Sequence, residues 1–237
     1  MNETTWQACT DPLALLHHHE QELSERRLRL FACACTRRVW PLLTREPVRA
    51  AVGTAERFAD GLAGRDDLRA GWLAVRKALG TAPLGTHWEH ALMAALNATT
   101  EPMTRHRAGD AARYAALALD ADWQSGAPID KEADDRRRSG SPAERALQCR
   151  LVRDLVPPPH AAIDPAWRAW EGGQVLALAR AVRAEQDWGD MPVLADALEE
   201  AGCRDEAVLG HCRGGGPHTL ACWVLELLLR PGLSGRP

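Results

Sequence analysis

Apolar residues recur every three or four positions along almost the whole chain, the spacing of one face of an α-helix. In "SERRLRLFACACTRRVWPLL", Leu28, Phe31, Cys35, Val39 and Leu42 form one stripe, Ser24 offers an N-cap oxygen, and Arg26, Arg29, Arg37 and Arg38 decorate the remaining surface. The next run, "EPVRAAVGTAERFADGLAG", opens with Pro47 in its first turn. It carries Val48, Ala51, Val52, Ala55, Phe58, Ala59 and Leu62 on its stripe, with Gly64 just past its end. A short opening helix over "DPLALLHHH" takes Thr10 or Asp11 as its cap, and further helices are predicted over about 66–79, 86–98 and 105–120.

The pattern fails over 124–140, "QSGAPIDKEADDRRRSG", which is charged and lacks apolar anchors, and so predicts a loop or linker. Helices resume at "SPAERALQCRLVRDLV", where Ser141, Pro142 and Glu144 spell a capping box, and the prolines of "PPPH" stop them. Asp164 caps a single turn that carries Trp167 and Trp170. Two amphipathic helices follow, the second ending at Gly202, then a short helix over "RDEAVLGHCR" and a closing one over "HTLACWVLELLLR". No alternating strand pattern occurs. The predicted fold is all-α, an irregular multi-helix array or bundle without substantial sheet. Its expected organisation is an N-terminal helical region 1–123, the linker 124–140 and a C-terminal helical region 141–237, or one continuous domain.

Composition narrows the classes of function. A net charge of −3 over 237 residues provides no basic field for nucleic acid or an anionic membrane. No apolar run reaches the roughly 18 residues of a membrane span, and seven cysteines are too sparse for a disulfide scaffold, so a reducing cytoplasm is the expected setting. Nine Trp against two Phe and one Tyr is an unusual balance. Trp40, Trp72, Trp88 and Trp223 fall on or beside apolar stripes and are expected in the core. Trp6, Trp167, Trp170 and Trp188 fall near helix ends, where a ring covers a seam or, if exposed, marks a docking patch.

Chemistry concentrates in "GHCRGGGPHTLACW", 210–223. The glycines do not make a phosphate loop, which needs a preceding strand and a following Lys and Ser or Thr. A zinc site is one reading: His218 and Cys222, four apart at the start of a helix, with Cys203 and Cys212, and His211 as a substitute. The other reading takes the three cysteines as small buried hydrophobes around a tight turn, with no cofactor. A helical-bundle metal enzyme would instead need His87, His90, His106 and Asp110 to meet between helices. No nucleophile elbow or catalytic-cysteine signature supports an enzyme.

Several stretches carry a resemblance. "WQACTDP" at 6–12, "SERRLRLFACACTRRVWPLL" at 24–43 and "AVGTAERFADG" at 51–61 resemble the N-terminal half of an uncharacterised helical protein family abundant in planctomycetes. "PVLADALEEAGC" at 192–203, then "HCRGGGPH" and "CWVLELLL", resemble its C-terminal half, and "LADALEEAG" is faintly similar to the repeat-companion domain of the same bacteria. This chain departs from the family at Thr36, where a second adjacent Cys is usual, and at Leu220-Ala221, which stand in place of Arg-Gly. The resemblance implies a helical fold and no activity. Long amphipathic helices, surplus tryptophan and absent catalytic motifs set the expectation from sequence, a non-enzymatic protein-interaction or regulatory module. Trp167 and Trp170, or Arg26, Arg29, Arg37 and Arg38, would meet its protein partner, and a small zinc protein is the alternative.

Overall fold

The computed structural model describes residues 3–120, 140–158 and 161–229. Among these residues there are thirteen α-helices and no strand, an all-α array as the periodicity predicts. The chain divides into two compact units, Met1–Val152 and Arg153–Pro237. The division falls inside a helix, Pro142–Leu155, and not in the charged stretch, of which 124–139 lie outside the described residues.

The first unit contains α1 (Glu3–Ala8), α2 (Pro12–His18), α3 (Glu25–Arg38), α4 (Glu46–Ala59), α5 (Arg65–Leu79), α6 (His87–Ala98), α7 (Arg105–Ala118) and most of α8 (Pro142–Leu155). Its caps follow the sequence reading: Asp11 accepts the Leu13 amide at 3.0 Å, and Ser24 accepts that of Arg27 at 3.3 Å. The α4 helix stops earlier than predicted. Gly61, at φ +75°, takes the left-handed position, and the Gly61 and Leu62 amides return to Phe58 and Arg57. Leu62 is thereby turned out to solvent, and Gly64 opens α5 instead of closing α4.

The α3 helix is central, packing on α4, α6 and α7, and is buried well beyond one stripe: Leu30, Ala32, Cys33 and Thr36 are covered as well. Its neighbours permit this because α7 buries Ala108, Gly109, Ala111, Ala112, Ala115 and Ala116, whose short side chains let helix axes approach closely. Arg29, expected on the surface, is 1% exposed. Its guanidinium donates to the carbonyls of Ala98 and Thr100, at 3.3 and 2.8 Å, and to Glu25 at 3.2 Å, and lies over the Phe58 ring. It thus satisfies carbonyls left open at the end of α6.

Three of the tryptophans expected in the core are half-buried, each roofed by arginine: Trp40 by Arg37 and Arg49, Trp72 by Arg76, and Trp88 by Arg45. Of the four, Trp223 is the one fully covered. The capping box at α8 is half made. Ser141 accepts the Glu144 amide at 3.4 Å, whereas the Ser141 amide donates to Ala116, and the buried Glu144 carboxylate is drawn to Arg38 at 3.1 Å.

The second unit contains the end of α8, α9 (Pro165–Ala169), α10 (Gln174–Glu185), α11 (Met191–Glu200), α12 (Glu206–Arg213) and α13 (Trp223–Leu229). Asp164 caps α9 by accepting the Ala166 amide at 2.8 Å. The core lies between α10, α11, α12 and α13, from Val175, Ala179, Val182, Met191, Leu194, Leu198, Val208 and Leu225.

Two substitutions probe the first unit. Gly140 sits at φ +75°, and a Cβ there would lie 2.4 Å from the Ala116 carbonyl carbon and 2.5 Å from the Leu117 nitrogen. Gly140→Ala should cost about 2–4 kcal/mol in urea unfolding, from left-handed strain plus overpacking. Arg29→Met should cost about 3 kcal/mol on the same measurement, because two buried carbonyls lose their donors. A cost below about 0.5 kcal/mol would show that water replaces the guanidinium.

Candidate metal centre

Three segments of the second unit converge on one point. The first is the last turn of α8, which carries Asp154 between Val152 and Leu155, both buried, just before Pro157 and Pro158 end the helix. The second is α12. Asp205 caps it, accepting the amides of Ala207 and Val208 at 2.8 and 3.3 Å, and its apolar face buries Val208, Leu209 and Cys212. His211, three residues beyond Val208, lies on the flank of that face. The third segment is the connection from the glycine turn to α13. It holds His218, Thr219 and Cys222 ahead of the helix, not inside it as the sequence predicts.

Asp154 organises these pieces. It is 1% exposed, and its two oxygens have separate duties. Oδ2 accepts the Thr219 amide at 2.7 Å and the Thr219 hydroxyl at 2.8 Å. Oδ1 faces His218 Nδ1 at 2.9 Å and His211 Nε2 at 3.1 Å. His211 Nε2 also lies 3.2 Å from Cys222 Sγ, and its Nδ1 accepts the indole N–H of Trp223 at 3.1 Å. One ligating atom each from Asp154, His211, His218 and Cys222 falls within 4.8 Å of all the others. The Trp223 ring lies 4.9 Å from that of His211, and Trp188 lies 6.0 Å from His218.

The electrostatics favour an ionised carboxylate in this dry setting. Burial raises the Asp154 pKa, but hydrogen bonds from His211 and His218, with their charges, outweigh it and hold it at about 2. Burial, and then the charge of Asp154, push the Cys222 thiol well up. Burial likewise lifts Cys212 to about 12. A nucleophilic cysteine needs the opposite, a lowered pKa. It also needs a base whose two ring nitrogens serve thiol and acid separately, whereas one nitrogen of His211 faces both Cys222 and Asp154. The mixed N, O and S donors suit a borderline ion such as zinc, and the Thr219 contacts are the outer hydrogen bonds that orient a ligating carboxylate.

Of the residues singled out from sequence, His218 and Cys222 belong to this cluster, together with His211, named there as a substitute. Cys203 and Cys212 lie in the apolar core of the unit. For Cys203 the cause is local: Gly202 at φ +95° ends α11, the Gly202 and Cys203 amides return to Glu199 and Leu198, and the residue after such a glycine packs back on the helix. Cys212 sits four residues after Val208 on the buried face of α12. Asp154 escaped sequence reasoning. Its only local sign is an acid within an apolar helical end, "LVRDLV", and its partners lie 57 and 64 residues away.

The bundle set does not assemble. His87 bonds to the Ala118 carbonyl at the end of α7, while His106 pairs with Asp110 at 3.4 Å near its start, about 18 Å away along the helix. The arginines of α3 are engaged within the chain: Arg26 with Asp60 at 2.7 Å, Arg37 with Glu56 at 2.5 Å, Arg38 with Glu144, and Arg29 as described. Trp167 and Trp170 are half-buried against the second unit's core.

Asp154→Asn should destabilise the chelator-treated protein by about 2–4 kcal/mol, since the amide replaces an acceptor of four hydrogen bonds. Thr219→Val should cost about 1 kcal/mol, because the backbone donor to Oδ2 remains. Equal costs for both in denaturant unfolding would place the stabilisation in Thr219 and not in the carboxylate. No protein-family model, curated protein or solved structure matches this chain.

Proposed function

We propose that the second unit is a metal-binding helical module that takes one zinc-type divalent ion within the cluster of Asp154, His211, His218 and Cys222. The observation that carries this is the convergence of four donor atoms from three separate segments to within 4.8 Å in a buried site. Bonds of about 2.0–2.3 Å in a tetrahedron set donor–donor edges of about 3.3–3.8 Å, so side-chain adjustments of about 1 Å suffice. The ion would tie the end of α8 to the segment before α13, beside His211 of α12. A protein-docking role is the second reading, favoured by the partly uncovered rings of Trp167 and Trp170 at the edge of the core, and the two roles are compatible. Membership of the planctomycete family remains part of this proposal.

Elemental analysis of the purified full chain should find about one zinc-type ion per molecule, lost in the double variant His218→Ala, Cys222→Ser. Chelation should lower the Tm, and zinc at a hundred times its Kd should restore about 2.7 kcal/mol. A folded chain that takes up no zinc or cobalt at micromolar concentration overturns the proposal.

A further inference from the structure

Resting on that metal-binding reading, we infer that His211 is not a ligand: the ion is held by three side chains, Asp154, His218 and Cys222, and a fourth position takes an exchangeable water or small monodentate anion. The reason lies in Trp223. An indole N–H only donates, so His211 Nδ1, 3.1 Å from it, must present a lone pair. A neutral imidazole then carries its proton on Nε2. That N–H points at Asp154 Oδ1 and Cys222 Sγ, 3.1 and 3.2 Å away, and both are acceptors when they ligate a metal. Were Nε2 itself a ligand, the ring proton would move to Nδ1 and face the indole N–H, setting two donors against each other in a part-buried contact. Metal-ligating histidines do the reverse, giving their second N–H to an acceptor.

Solvent access fits the same division. The Asp154 and His218 side chains are 2% and 3% exposed, and that of His211 is 18% exposed. Water or an anion therefore reaches the ion along His211, whose Nε2–H can hydrogen-bond to the bound group. Three protein ligands with one open position distinguish this site from a closed, four-ligand structural one.

The test uses the full chain loaded with cobalt(II), whose visible bands report coordination number and whose near-ultraviolet band reports the thiolate bond. Both His211→Ala and His211→Gln are expected to bind about one cobalt and keep the thiolate band, with affinity lowered no more than about 10–100-fold, the range of outer hydrogen-bonding partners. Azide or thiocyanate is expected to shift the visible bands of the wild-type complex saturably. Loss of stoichiometric cobalt in both His211 variants, while the wild type still binds, overturns the inference and leaves a four-ligand site. Wild-type bands unmoved by saturating anion also overturn it. Failure of the wild type to bind any cobalt or zinc overturns the metal reading itself.

Discussion

A carboxylate taken out of water must find donors for both oxygens or give up its charge. In the second unit Asp154 meets that demand, and the geometry around it follows from how it does so. Thr219 occupies Oδ2 with two donors and thereby sets where the chain runs before α13. That placement brings His218 to Oδ1 and starts α13 at Trp223, which in turn fixes the tautomer of His211. Without an ion the arrangement closes as a hydrogen-bonded lock. In the proposed metal-bound form, the same donors would serve as ligands and oriented outer partners.

The first unit handles buried charge by a different device. On α3 the cations are arginines, and three of these long planar groups are matched either to a carboxylate or to open helix-end carbonyls: Arg37 to Glu56, Arg38 to Glu144, Arg29 to the end of α6. These pairings let α3 pack on several sides while carrying a charge pattern that reads as a solvated surface. Arg37 and Arg49, both placed over Trp40, extend the economy, since each side chain shields the ring and pairs or caps elsewhere. Arg49, for example, covers Trp40 while donating to the Leu43 carbonyl at 2.6 Å.

The six buried cysteines separate on the same physical grounds. Cys33, Cys35, Cys149, Cys203 and Cys212 are buried among apolar side chains, where they act as small hydrophobes. Cys222 is equally buried but sits 3.2 Å from an imidazole nitrogen beside an ionised carboxylate, and that neighbourhood alone gives it a chemical prospect. Burial and a nearby carboxylate hold the Cys35 thiol up just as they do that of Cys222, but among the described residues no imidazole stands beside Cys35, and Thr36 next to it spends its hydroxyl on the Ala32 carbonyl.

What the sequence by itself determined is local. Helix periodicity, the caps at Asp11, Ser24 and Asp164, and the stop at Gly202 all depend on residues within one or two turns, so the all-α class and most helix bounds are legible from spacing. Three of the four members of the candidate cluster were legible too, His218 and Cys222 as ligands and His211 as a substitute, because they crowd into twelve residues. What only the tertiary structure decided involves partners far apart along the chain. Asp154 joins the cluster across 64 residues, Arg29 is buried by carbonyls 69 and 71 residues on, and Glu144 leaves its capping box for Arg38 across 106. Cys203 and Cys212 share a residue type with Cys222, and which thiol meets a histidine depends on the direction its side chain leaves the helix once the core is packed. Periodicity specifies which face of a helix is apolar, but not which distant polar group that face will cover.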